Sequence, residues 1–156
     1  APAGVMAEYE AAFRDCGYAP GVVLPSTLAT LGMVAAEKPT VVVKVDVNTT
    51  SVAIVDKESL ILLRMIDHPG RPDVSAQELA ENIHPSMVFF EDTYGSRIEQ
   101  VLVTGLADVS RLGGALQSEI GVPVSELTGS GVATGESLGD ALPQAMLTGV
   151  AGALLS

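Results

Sequence analysis

Asp46 closes a run of β-branched residues and is followed at once by the polar cluster Asn48-Thr49-Thr50-Ser51. A carboxylate in that place can accept hydrogen bonds from a turn, or it can join other carboxylates around metal ions. Metal-assisted phosphoryl chemistry needs several acids converging from neighbouring elements. Glu78 or Glu81 in the next helical stretch, and Asp108 beyond the strand after it, are the residues available for that. Other reactive groups are sparse. His68 and His84 each stand alone beside a proline and are expected to be structural. Cys16 falls on the apolar stripe of the first helix, which points to packing rather than nucleophilic work. A single cysteine forms no internal disulfide, and no Cys/His cluster is present to hold zinc, so a reducing compartment is the default. The glycine run from Gly129 to Gly135 lacks the Lys-Ser/Thr ending of a P-loop and does not lead from a strand into a GxGxxG turn; it reads as linker.

The elements that would position these residues follow from periodicity. Val5, Met6, Tyr9, Ala12, Phe13 and Cys16 recur at helical spacing, and Gly17 ends that helix. The apolar run Ala19 to Leu24 reads as a short strand. Pro25-Ser26-Thr27 opens a second helix that is expected to reach Ala36. Thr40 to Val47 alternates, with Val41, Val43, Val45 and Val47 on one face and Val42, Lys44 and Asp46 on the other. Ser51–Val55 and Ser59–Ile66 follow after short polar turns, which makes an antiparallel meander. His68 to Pro72 is a loop. A long helical stretch carries Leu79, Ile83, Met87 and Phe90 at helical spacing, and Pro85 is expected to kink or divide it. Ile98–Val103 is a strand ending at Thr104-Gly105, Ser110–Ile120 a helix, Val122–Ser125 a short strand and Leu138–Leu155 a closing helix.

A three-strand meander followed by helix and strand crossovers is an α/β arrangement of the ribonuclease-H-like class. The chain is expected to be a single domain over 1–156, with lead-in helices and a strand in 1–39 and the core in 40–156. Its 156 residues suit one compact domain with a core of its own. A hydrophobic fraction of 47% with 17% charged residues excludes a disordered chain.

The formal charge of −11 is unevenly spread. Residues 73–156 hold 11 acids and 2 bases, whereas residues 40–72 hold 4 of each. A surface of that sign repels phosphate backbones and anionic lipid, so no nucleic-acid partner is expected and a nuclease reading is weakened. The apolar tail Ala141–Leu155 is shorter than a bilayer span of roughly 20 residues and contains Pro143 and Gln144, so it reads as a buried helix without direct membrane insertion. No signal-like segment opens the chain, and Ala1 in place of Met points to a trimmed or excised segment.

Three stretches carry a family resemblance. They are the opening Glu8-Tyr9-Glu10 … Phe13 … Cys16-Gly17-Tyr18 … Leu24-Pro25-Ser26 … Ala29; the run from Val43 to Ile54, with Arg64-Met65-Ile66 in the strand after it; and Ile98 to Gly105, followed by Arg111 to Leu116 and Gly121 to Val124. In this order they resemble the second lobe of the actin-like ATPase superfamily, most nearly the PilM-type proteins of type IV pilus assembly, with GspL-type secretion proteins and FtsA as relatives. The resemblance implies that Asp46, Asn48, Thr49 and Thr50 form a phosphate hairpin, with Asp46 near magnesium, and that Thr104 and Gly105 lie at the nucleotide base. It also implies erosion of both motifs. Asn48 stands where the family has a glycine that lets backbone N–H groups approach phosphate, although Asn tolerates the positive φ a tight turn can require. Leu106 follows Gly105 where paired glycines are usual, and its side chain could take adenine's space.

The expectation is therefore a PilM-like scaffold of pilus or related secretion assembly, cytoplasmic and peripheral at the inner membrane through its partners, without catalysis in this chain. Inner-membrane pilus or secretion assembly proteins are the partners so implied, and self-association is among the options. Two alternatives stand beside it. One is an ATP-binding lobe that takes ATP and magnesium only together with a first lobe. The other is a ribonuclease-H-like metal-dependent nuclease using Asp46, Glu78 or Glu81, and Asp108.

Overall fold

The computed structural model describes residues 2–19, 23–57, 59–68, 74–106 and 108–127. The glycine run 129–135, the closing helix 138–155 and most of the loop 68–72 lie outside the described residues.

Valine-rich β1 (Thr40–Val45) is the centre of the molecule, and every one of its residues is buried. It pairs antiparallel with β2 (Thr49–Asp56), which pairs antiparallel with β3 (Ser59–Asp67). On its other side β1 pairs parallel with β4 (Gln100–Thr104), and β4 pairs parallel with β5 (Val124–Glu126). The described sheet thus runs β3-β2-β1-β4-β5. This is the ribonuclease-H-like order anticipated from the sequence: a meander whose first strand sits mid-sheet, with the later strands added by helical crossovers. A parallel neighbour requires such a crossover, since no tight turn can return the chain to the same end of the sheet.

The alternation of β1 sorts the two faces. Val41, Val43 and Val45 join Val52, Ile54, Val101 and Val103 in the larger core, which is covered by Leu79, Ile83, Met87 and Phe90 of α3 (Ala76–Tyr94) and Leu116 of α4 (Val109–Ile120). On the opposite face Val42 packs with Ala36, Ala53, Val55 and Leu127. Val47, assigned by alternation to the first face, lies exposed in the turn beyond the strand.

Local chemistry explains the helix starts. Ser75 and Glu78 form a reciprocal capping box at the start of α3, and Gly95 ends that helix in the left-handed conformation. Asp108 accepts a hydrogen bond from the Arg111 N–H at 3.0 Å and caps α4. Pro85 neither divides nor ends α3, which runs unbroken from Ala76 to Tyr94. Pro85 is on the exposed side of that helix. The Glu81 carbonyl deprived of its partner there can turn to water, which removes most of the penalty expected of an interior proline.

Three further expectations are corrected. The second helix, α2 (Ser26–Leu31), stops well short of Ala36, although Ala36 itself is buried. In the first helix, α1 (Ala3–Asp15), no residue is buried; Val5, Tyr9 and Phe13 are exposed, and so is Cys16. The helical period was read correctly, but nothing among the described residues covers its stripe. Val23 and Leu24 are irregular rather than strand, and residues 20–22 of that run lie outside the described residues.

Phe90 is the largest of the fully buried side chains and stacks on Tyr94 at 5.1 Å between ring centroids. Truncation of Phe90 to alanine should cost about 3–5 kcal/mol of folding stability, read as a lower urea midpoint with an unchanged slope.

Candidate functional site

Because β1 and β4 are parallel, their carboxyl ends open on the same edge of the sheet, the edge on which open α/β folds bind ligands. All six residues that the resemblance assigns to nucleotide fall there. Asp46 and Asn48 lie in the β1–β2 turn, Thr49 and Thr50 begin β2, and Thr104 and Gly105 end β4 and start the turn after it.

The hairpin is closed by backbone bonds. The Asp46 N–H donates to the Thr49 carbonyl at 2.8 Å, and the His68 N–H donates to the Asn48 carbonyl at 2.8 Å. His68 Nε2 also lies 3.0 Å from the Thr50 hydroxyl, which is buried on the larger-core face. His68 therefore ties the end of β3 to the hairpin, a structural role consistent with its being a lone histidine. The spacing gave no sign of this partner, because the contact spans 18 residues. Among the described non-glycine residues, only Lys57 has a positive φ. Asn48 thus makes its turn without the left-handed conformation that asparagine tolerates.

On the smaller-core face the site has a second layer that the sequence did not single out. Lys44 is paired in register with Ser51 on one side and Thr104 on the other, and all three are buried. Ser51 Oγ is 2.9 Å from Thr27 Oγ1, a buried hydroxyl pair that pins α2 to β2. Lys44 Nζ donates to both carboxylate oxygens of Asp46. The Lys44 side chain is 7% exposed and that of Asp46 44%. An ammonium so deeply buried needs a partner, since stripping water from an unpaired charge is prohibitive. Asp46, two residues on and on the same face by strand alternation, provides it.

This donor set does not fit the magnesium ion implied by the resemblance. Both oxygens of the carboxylate that would face the metal are engaged by an ammonium of the same chain. Asn48 in addition brings a side chain to the place where the resemblance implies a glycine.

Gly105 has a backbone reason of its own. Its φ is +87°, and a Cβ built there would lie 1.9 Å from the Val45 carbonyl oxygen. The turn after β4 presses against the end of β1 so closely that only glycine fits. Leu106 is half-buried against the larger core.

The acids of the nuclease alternative are dispersed into local duties. Glu78 belongs to the capping box of α3, Glu81 accepts from Gln77 at 3.1 Å, and Asp108 caps α4. Among the described residues, no group of three or more His, Cys, Asp or Glu side chains is placed to hold a metal ion.

Neither a family model nor a curated protein matches the sequence. Solved structures do match in fold. A chain of the PilM-PilN type IV pilus biogenesis complex superposes with a TM-score of 0.69 at 16% identity, over 95% of this chain and 57% of that one. The ethanolamine utilization protein EutJ from Carboxydothermus hydrogenoformans gives 0.59 at 11% identity, over 92% and 57%. The AlfA filament bound to AMPPNP gives 0.50 at 18% identity, over 81% and 41%. These likenesses establish an actin-like ATPase fold of PilM-like form. The chain spans 57% of the length of the first two of these proteins.

Gly105→Ala should destabilise the protein by about 3 kcal/mol or more, from the left-handed φ and the overlap with Val45 together. Equilibrium denaturation checks this. The expectation contrasts with Gly114→Ala, where a Cβ meets nothing within 4 Å; that change should be neutral or slightly stabilising in the middle of α4.

Proposed function

We propose that this chain is a lobe of a PilM-like assembly protein and acts as a scaffold in type IV pilus or related secretion assembly, without catalysis of its own. The observation that carries the reading is the superposition on a chain of the PilM-PilN complex over 95% of the residues. A Lys44–Asp46 pair in place of a free carboxylate, and Asn48 in place of glycine, support a role in which nucleotide chemistry has receded. In this reading the lobe is cytoplasmic and reaches the inner membrane through assembly proteins anchored there. Among the described residues no helix is long and apolar enough to cross a membrane. The acidic stretch from residue 73 onward favours protein partners over nucleic acid.

A second reading, an ATP-binding lobe completed by a first lobe, is favoured by the gathering of Asp46, Thr49, Thr50, Thr104 and Gly105 at one edge of the sheet. Likeness to a filament protein solved with AMPPNP adds to it.

Two measurements separate the readings. Full-length protein carrying this lobe should co-purify with the cytoplasmic segments of inner-membrane pilus or secretion proteins; failure of both the full-length protein and the lobe to retain any of them would remove the scaffold reading. Calorimetric titration of magnesium–ATP into the full-length protein should give no heat at millimolar nucleotide. Saturable binding there would favour the second reading instead.

A further inference from the structure

The misfit between the donor set and magnesium has a specific author in Lys44. Strand alternation places Lys44 and Asp46 on the same face of β1, and burial leaves the ammonium no solvent to satisfy its three N–H donors. Its carboxylate partner is Asp46, the residue that closes onto the hairpin through the Asp46 N–H to Thr49 carbonyl bond. The carboxylate is nearly half exposed at the open edge of the sheet, whereas the ammonium lies behind it in the protein. A cation approaching from solvent meets a carboxylate already neutralised from within, and it also meets the repulsion of the fixed ammonium at close range.

We infer that Lys44 supplies from inside the chain the positive charge that a divalent cation would otherwise bring to Asp46, so that this edge of the sheet rejects divalent cations. Lys44 is thus a specificity-determining residue, and a neutral side chain in its place turns the hairpin into a divalent-cation site. The inference rests on the geometry of β1 and its turn alone. Its failure would remove one support for the absence of catalysis but leave the fold likeness that carries the assembly reading, and loss of the assembly reading would leave the inference untouched.

Manganese(II) chloride is a suitable probe, because bound Mn²⁺ broadens nearby amide resonances and so reports where it binds as well as whether it binds. The titration uses the ¹⁵N-labelled full chain, with the amides of Asn48, Thr49 and Thr50 as reporters. In the wild type these resonances should broaden no more readily than those beside other surface carboxylates. In Lys44→Met they should broaden at Mn²⁺ concentrations lower by at least about tenfold, and the double variant Lys44→Met/Asp46→Asn should lose that gain. Methionine matches the length of the lysine stem and suits a buried place, and Lys44→Gln, which keeps a polar end there, carries the same expectation should the first variant fold poorly. Selective broadening at the hairpin in the wild type, as strong as in Lys44→Met, would overturn the inference. So would folded Lys44→Met and Lys44→Gln proteins that gain no broadening at the hairpin.

Discussion

The described residues are organised around β1, a strand buried along its whole length, with a lysine two residues short of the aspartate that ends its run. Burying Val41, Val43 and Val45 on one face and Val42 on the other builds both cores at once. The same burial forces a solution for Lys44, because a strand with no solvent face offers a cation nowhere to go. The solution is the Asp46 carboxylate at the open edge. A pair of this kind contributes less net stability than its geometry suggests, since desolvation offsets much of the attraction, but breaking it leaves a buried charge uncompensated. Asp46 is therefore committed to the fold before it is offered to any ligand.

The edge around that pair is built by close backbone approach. Gly105 lets the turn after β4 lie against the Val45 carbonyl, and His68 ties the end of β3 to Asn48 and Thr50. Asn48, Thr50 and Gly105, which the resemblance implies for nucleotide, thus help to hold the sheet's carboxyl edge together. This arrangement is compatible with the PilM-like fold likeness.

Much of the fold was legible because its signals are periodic. The alternation in Thr40–Val45 sorted the two faces, the polar turns marked the meander, and Leu79, Ile83, Met87 and Phe90 marked the buried side of α3. What stayed illegible depends on surroundings. A proline inside α3 is tolerated because it sits on the exposed side, and the stripe of α1 reads as helix whether or not anything covers it. The candidate residues lie at one edge of the sheet, yet the surroundings of Asp46 turn on Lys44, which sequence reading left as one member of an alternating strand. Its burial follows from β1 being flanked by β2 and β4, a tertiary fact that no local pattern carries. The carboxylates Glu78 and Asp108 were similarly ambiguous until their capping roles appeared.

The central claim is that Asp46 serves Lys44 rather than a metal. A double-mutant cycle on folding stability, with Lys44→Met, Asp46→Asn and the double variant in the presence and absence of millimolar magnesium, measures this most directly. The account predicts a favourable coupling of about 1 kcal/mol or more between the two side chains, with Asp46→Asn alone the most damaging change and magnesium without effect on the wild type. A coupling near zero, together with stabilisation of the wild type by magnesium that Asp46→Asn abolishes, would contradict it.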